Sequence, residues 1–167
     1  VRAYPISIDW PPKALAGQSP VAECRVAVRR ALKLADDIKL VVGIERFDYT
    51  KGILDRMKAL DDLLTREPQW KHRLVFVQVA APTRSRLEKY SKLQEEAVAL
   101  SGDINQRHGD DSYKPVQLIV RHHDQKEVFR LFRAADLCIV SSLHDGMNLV
   151  AKEFVAARED ERGVLIL

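Results

Sequence analysis

The sequence predicts an α/β fold built on a doubly wound, mainly parallel sheet, and three observations carry that expectation. Short apolar runs alternate with helical patterns along almost the whole chain, the signature of repeated strand–helix–strand units. The runs are continuously apolar, as expected of strands covered on both faces. The length of 167 residues suits one domain with a sizeable core, and no repeat or low-complexity segment divides it.

Residues 1–18 read as a leading segment or linker. Tyr4-Pro5-Ile6-Ser7-Ile8-Asp9 is extended, and Trp10-Pro11-Pro12 prevents a helix there. From about 20 to 34, Val21, Val26, Val28, Ala31, Leu32 and Ala35 suit an amphipathic helix. Residues 39–44 form the first clear strand. A helix follows over 52–67, with Ile53, Met57, Leu60, Leu63 and Leu64 on one stripe and Pro68 as its stop. Residues 74–80 are the second strand. A long polar helix is expected from about 84 to 107, with Leu87, Tyr90, Leu93, Ala97 and Leu100 on one face. Strand three spans 116–120, a short helix 125–134, and strand four 137–140. A last helix runs to about Arg158 before a closing strand at 163–167.

Composition narrows the function. Hydrophobic residues make up 46% and charged residues 31%, the balance of an ordinary globular protein. Net charge is only +3, from 27 Lys and Arg against 24 Asp and Glu, and the charges are interspersed, which argues against a nucleic-acid module. No run is long enough to span a membrane. Cys138 sits inside an apolar run and reads as a buried free thiol, fitting a reducing, cytoplasmic compartment. The chain begins without methionine and closes on a strand without a cap, so it reads as a piece of a longer protein. Trp10 and Trp70 have no chemical partner nearby and read as packing residues.

In an open parallel sheet, ligands bind beyond the carboxyl ends of the strands. Those ends deliver Arg46, Lys51, Arg84, Arg121 and the histidines His122, His123 and His144 to one rim. A basic rim facing a helix N-terminus suits a small polyanion. The fourth strand leads into Ser141-Ser142-Leu143-His144-Asp145-Gly146-Met147-Asn148, a polar turn before a helix. Asp145 and Asn148 can bond sugar hydroxyls or cap that helix, and Glu153 can accept from a vicinal diol. Taken singly, Arg46 could pair with Glu45 or Asp48, and Lys51 could be a solvated first-turn residue. The adjacent His122 and His123 point apart and lack further ligands at metal spacing, so no metal is expected. Neither a Gly-x-Gly-x-x-Gly run after the first strand, nor a Walker loop, nor an Asp-x-Asp is present.

Two motifs, Arg46-Phe47-Asp48-Tyr49-Thr50-Lys51-Gly52 and Asp145-Gly146-Met147-Asn148-Leu149-Val150-Ala151-Lys152-Glu153, in this order and separation, make the chain resemble the C-terminal half of the trehalose-6-phosphate synthase family. That family is one of retaining, metal-independent glycosyltransferases with two facing Rossmann-like lobes, the GT-B architecture. The resemblance implies that Arg46 and Lys51 clamp the donor diphosphate and that Asp145 meets the donor glucose hydroxyls. Gly146, Met147 and Asn148 would shape that pocket. Leu149 and Val150 would offer backbone N–H groups to the phosphates, with Ala151 and Lys152 in the same turn, and Glu153 would hold the ribose diol. Arg84 matches an arginine reaching the phosphate of the acceptor, glucose 6-phosphate. His123 stands at the base-contacting position, where the family often has Phe. Arg2 and Arg86 depart from the family pattern and have no functional reading.

The implied reaction moves glucose from a nucleotide diphosphate, UDP-glucose in the family, onto glucose 6-phosphate, with the N-terminal lobe supplying most acceptor contacts. The donor lobe alone is expected to be inactive. Glucosylglycerol-phosphate synthase has a similar donor lobe, and a non-catalytic nucleotide-sugar-binding module is the alternative from another class. The intact set of Arg46, Lys51, Asp145 and Glu153 argues against the latter. The sequence leaves open the base, the acceptor, and whether the full-length protein is a homo-oligomer.

Overall fold

The computed structural model describes residues 6–82 and 88–167, the Glu88 side chain excepted. Within them a single five-stranded sheet runs in the order β3-β2-β1-β4-β5, and every neighbouring pair is parallel. The strands are β1 (Lys39–Arg46), β2 (Leu74–Ala81), β3 (Val116–Ile119), β4 (Leu137–Ile139) and β5 (Val164–Ile166). Helices α1 (Val21–Ala31), α2 (Ile53–Arg66), α3 (Glu88–His108), α4 (Gln125–Ala134) and α5 (Leu149–Ala157) connect and cover them. The expected doubly wound α/β architecture is therefore present.

Two apolar layers explain why the strands carry no polar alternation. Leu40, Val42 and Ile44 of β1 pack with Val75, Val77, Phe129, Phe132 and Phe154 on one side. Val41 and Phe76 face the other, with Ile53, Met57, Leu60 and Leu64 of α2 and Leu93, Ala97 and Ile104 of α3. Each layer buries a full helical stripe, the main favourable term in such a fold.

Local chemistry sets the boundaries. Pro68 opens a 3-10 turn directly after α2. Asp124 and Glu127 form a reciprocal capping box at the start of α4, with Glu127 N–H donating to Asp124 Oδ1 at 2.7 Å. β1 runs two residues beyond its apolar stretch, because Glu45 and Arg46 still pair with Ala80 and Ala81. α1 stops at Ala31, short of the expected 34, and Lys33 takes a positive φ of 55°. The described part of α3 starts at Glu88, so the expectation for residues 84–87, like that for Arg2, lies outside the described residues.

Cys138 and Cys24 are both buried free thiols, as expected for the former. Burial pushes the Cys138 thiol up to about 12, so it stays protonated. Among the described residues no helix is long and apolar enough to cross a membrane. The tryptophans correct the sequence reading. Trp10 is 72% exposed and Trp70 37%. Trp10 belongs to a segment lying over α5, where it borders a shallow apolar depression with Ile8 and Val155 instead of entering a core layer.

Candidate functional site

Strand order reverses between β1 and β4, so the crevice at their carboxyl ends is the topological switch point of the sheet. Two loops meet there. The first follows β1 and contains a 3-10 turn, Tyr49–Lys51. Asp48 organises it, accepting from Thr50 N–H at 2.9 Å and from the Thr50 hydroxyl at 2.8 Å. Those bonds, the backbone one foremost, hold the Asp48 carboxyl below its ordinary range. Gly52 then turns the chain into α2 with φ +65°, and a Cβ there would lie 2.7 Å from the Ser141 carbonyl oxygen.

The second loop follows β4 and is tied to the first. Leu143 N–H and His144 N–H both donate to the Thr50 carbonyl, at 2.7 and 3.2 Å. Lys51 Nζ donates to Asp145 Oδ2 at 2.6 Å, and both side chains are mostly shielded, at 19% and 23% exposure. The Lys51 ammonium is the leading cause of a lowered Asp145 pKa. Lys51 is thus an ion-pair partner across the crevice and not a solvated first-turn residue. Glu45 and Asp48 are occupied otherwise: Glu45 pairs with Arg56, and Asp48 receives Thr50. Arg46 is exposed at the end of β1.

In the turn into α5, Asn148 takes the capping role of the two expected of it. Its Oδ1 accepts Val150 N–H at 3.1 Å, capping the helix, while its Nδ2 donates to Ser142 Oγ at 3.0 Å. The Val150 amide is therefore engaged by the cap. The other first-turn amides of α5 have no intrahelical acceptor, and the helix dipole adds positive potential at that end. A Cβ added to Gly146 would meet nothing within 4 Å, so open space adjoins its backbone. Met147 is partly exposed beside it.

The remaining predicted residues sit further along the rim. Glu153, one turn into α5, lines a depression of about 250 Å³ with Gln125, Leu149, Ile8 and Asp9. Burial there raises its carboxyl above the ordinary value. Lys152 Nζ donates to the Ile6 carbonyl at 3.0 Å, fastening the leading segment to α5. His123 lies just before α4 and its Nδ1–H donates to the Arg121 carbonyl at 3.1 Å. Arg121 is paired with Glu127 at 3.3 Å. Arg84 falls outside the described residues. Among the described residues, no three His, Cys, Asp or Glu side chains gather as a metal-ligand set.

Sequence reasoning missed three participants. Tyr49 stacks on Tyr90 with ring centroids 5.2 Å apart and planes at 14°, joining the first loop to α3. Arg56 and Gln78 lie buried beneath the crevice. Gln78 carries a signal, being the one amide in an otherwise apolar strand, and Tyr49 lies inside the Arg46-to-Gly52 motif.

A switch-point crevice walled by the Lys51 loop, the Asp145 loop and a helix N-terminus makes this a Rossmann-like α/β lobe with a site suited to a small polyanion. The model of glycosyltransferase family 20 matches residues 1–167, and the chain belongs to that family. It is 34% identical over its whole length to alpha,alpha-trehalose-phosphate synthase [UDP-forming] A of Dictyostelium discoideum, of which it covers 22%. It is 36% identical to the alpha,alpha-trehalose-phosphate synthase [UDP-forming] of Pichia angusta, covering 35% of that protein. Among solved structures, the alpha,alpha-trehalose-phosphate synthase of Burkholderia xenovorans in complex with glucose-6-phosphate superposes with a TM-score of 0.85 at 31% identity, over 98% of this chain and 36% of that one. An E. coli trehalose-6-phosphate structure bound with UDP-2-fluoro glucose gives 0.84 at 33% identity, over 97% and 36%. The chain thus spans about a fifth to a third of the curated relatives named here.

Proposed function

We propose that this chain is the donor-binding lobe of an α,α-trehalose-phosphate synthase, transferring glucose from UDP-glucose to glucose 6-phosphate with retention of configuration. The observation that carries the reading is the 2.6 Å contact between Lys51 and Asp145, which brings the cationic and acidic loops to one crevice. A nucleotide diphosphate needs cations and amide donors, and its sugar needs a carboxylate; Lys51, Arg46, the α5 N-terminus and Asp145 supply these. The relatives' UDP-forming chemistry and their bound glucose-6-phosphate and UDP-2-fluoro glucose support the choice of substrates.

In the reaction the bond from the glucose anomeric carbon to the UDP phosphate oxygen breaks through an oxocarbenium-like state. The anomeric hydroxyl of the acceptor bonds to that carbon on the same face, and its proton passes to the departing phosphate. Arg46, Lys51 and the helix N-terminus stabilise charge growing on the phosphate. By their match to the family motifs, Glu153 is assigned to the ribose diol, His123 to the base and Arg84 to the acceptor phosphate. The acceptor-binding N-terminal lobe lies in the remainder of the full protein, so this chain binds donor nucleotide weakly and transfers nothing alone.

Calorimetric titration of the chain with UDP, ADP and GDP tests the reading. UDP binds best, and Arg46→Ala weakens it by about 1–3 kcal/mol. An unchanged affinity in Arg46→Ala removes that residue from the site, and no response to any nucleotide ends the proposal.

A further inference from the structure

Directly beneath the two loops lies a polar cluster with no place in the donor chemistry. Arg56 of α2 is 5% exposed, and its guanidinium ion-pairs with Glu45 at the end of β1. From Nε it donates to Gln78 Oε1 at 3.4 Å, and from Nη1 to Ser141 Oγ at 3.3 Å. Gln78, wholly buried in β2, donates its Nε2 to Glu45 Oε1 at 2.8 Å and to the Gly43 carbonyl at 3.0 Å. β1 makes room for that amide: a Cβ on Gly43 would stand 2.9 Å from Gln78 Oε1. Four parts of the fold converge on these side chains: β1, β2, α2 and the start of the β4–α5 loop.

A buried ion pair inside an apolar sandwich is a poor device for stability, because desolvation offsets its attraction. What such a pair does well is fix geometry, since a fork with several fixed acceptors tolerates one arrangement. Burial lowers the guanidinium to about 10, which leaves it charged near neutrality. Ser141 opens the loop carrying Asp145, Glu45 adjoins Arg46, and Arg56 lies one turn beyond Lys51. We infer that Arg56 is a positioning residue whose fork joins Glu45 and Ser141, and so fixes the separation between the two walls of the site. Its consequence for binding rests on the donor-site reading above; the coupling of the loops does not.

Two variants separate positioning from simple support. Arg56→Lys keeps the charge and loses the fork. The double variant Glu45→Gln/Arg56→Met removes both charges at similar volume, so no unpaired charge stays buried. Backbone hydrogen exchange is followed at Leu143 and His144, whose N–H groups bond to Thr50, and at Val77 in the sheet as a reference. In whichever variant folds, the two loop amides exchange about tenfold faster or more while Val77 is unaffected, and UDP affinity falls about tenfold. Loop exchange at the native rate in a folded variant, or acceleration shared equally with Val77, overturns the inference. If the unaltered chain fails to bind UDP, the donor-site reading falls, and the exchange rates alone decide the role of Arg56.

Discussion

Lys51 and Asp145, 94 residues apart in sequence, share a 2.6 Å ion pair where the strand order reverses. In the proposed donor site, a bound sugar nucleotide would claim each of them: the ammonium for a phosphate, the carboxylate for sugar hydroxyls. Their pairing therefore holds both groups at the crevice, and in the donor-site reading a ligand competes with each for the other. The backbone bonds from Leu143 and His144 to Thr50 keep the loops in contact independently of that pair.

Replacing Asp145 by Asn tests this competition. The change frees Lys51 and removes a negative charge facing the phosphates, so UDP binds more tightly, by about 0.5–1 kcal/mol at low salt and less at high salt. UDP-glucose gains less than UDP, because its sugar loses a charged acceptor. Calorimetry with both ligands checks the ordering; equal gains for the two would separate Asp145 from the sugar.

The acid response follows from Asp48 and Asp145. Both carboxyls are lowered in the fold, Asp48 chiefly by the Thr50 backbone N–H and Asp145 chiefly by Lys51. A lowered carboxyl contributes stability that is fully present above its unfolded value and is lost as pH falls through its lower folded value. Urea unfolding from pH 7 down through the carboxylate range should show native stability declining below about pH 4. The Asp48→Asn/Asp145→Asn variant should show a shallower decline, and identical slopes would remove these two residues from the acid response.

The main features of the fold were legible because each strand is covered on both faces and each covering helix carries one apolar stripe. Val41 and Val42 face opposite layers, so their run reads as a strand without any alternation. Strand ends were less legible: Glu45 and Arg46 look like loop, and only their pairing with β2 extends β1 over them. The site divides in the same way. Lys51 and Asp145 stood out as motif residues, but their contact depends on strand order, which local pattern does not encode. Arg56 is a charged residue next to the apolar stripe of α2, with nothing in its neighbours to mark it; it is buried where Glu45 and Gln78 come to it from two strands. Trp10 misled for the opposite reason, since a large apolar side chain in an extended segment need not reach a core.

The close approach of the two loops depends on Gly52. Its φ of +65° strains any other residue, and a Cβ there would collide with the Ser141 carbonyl at 2.7 Å. Backbone cannot swing aside as a flexible side chain can, so Gly52→Ala should destabilise the chain by about 1–3 kcal/mol. UDP affinity should fall as well, since the clash pushes apart the loops bearing Lys51 and Asp145. A variant with native stability and native UDP affinity would show that this approach is not needed.

Glu153 offers a trade between stability and binding. Burial against Leu149 and the leading segment raises its carboxyl above the ordinary value, although a contact with Gln125 acts the other way. A raised carboxyl favours the protonated form in the fold, so the charged form is a burden at neutral pH, relieved as pH falls through the raised value toward the unfolded one. Glu153→Gln removes the charge at the same volume. Its melting temperature should exceed that of the native chain at pH 7, and the gain should vanish near about pH 4, where both states of the native carboxyl are largely protonated. UDP affinity should fall by about 1–2 kcal/mol, because an amide is a weaker acceptor for a ribose diol than a carboxylate. A stability gain without loss of UDP affinity would place the ribose elsewhere and leave Glu153 as a strained wall beneath the leading segment.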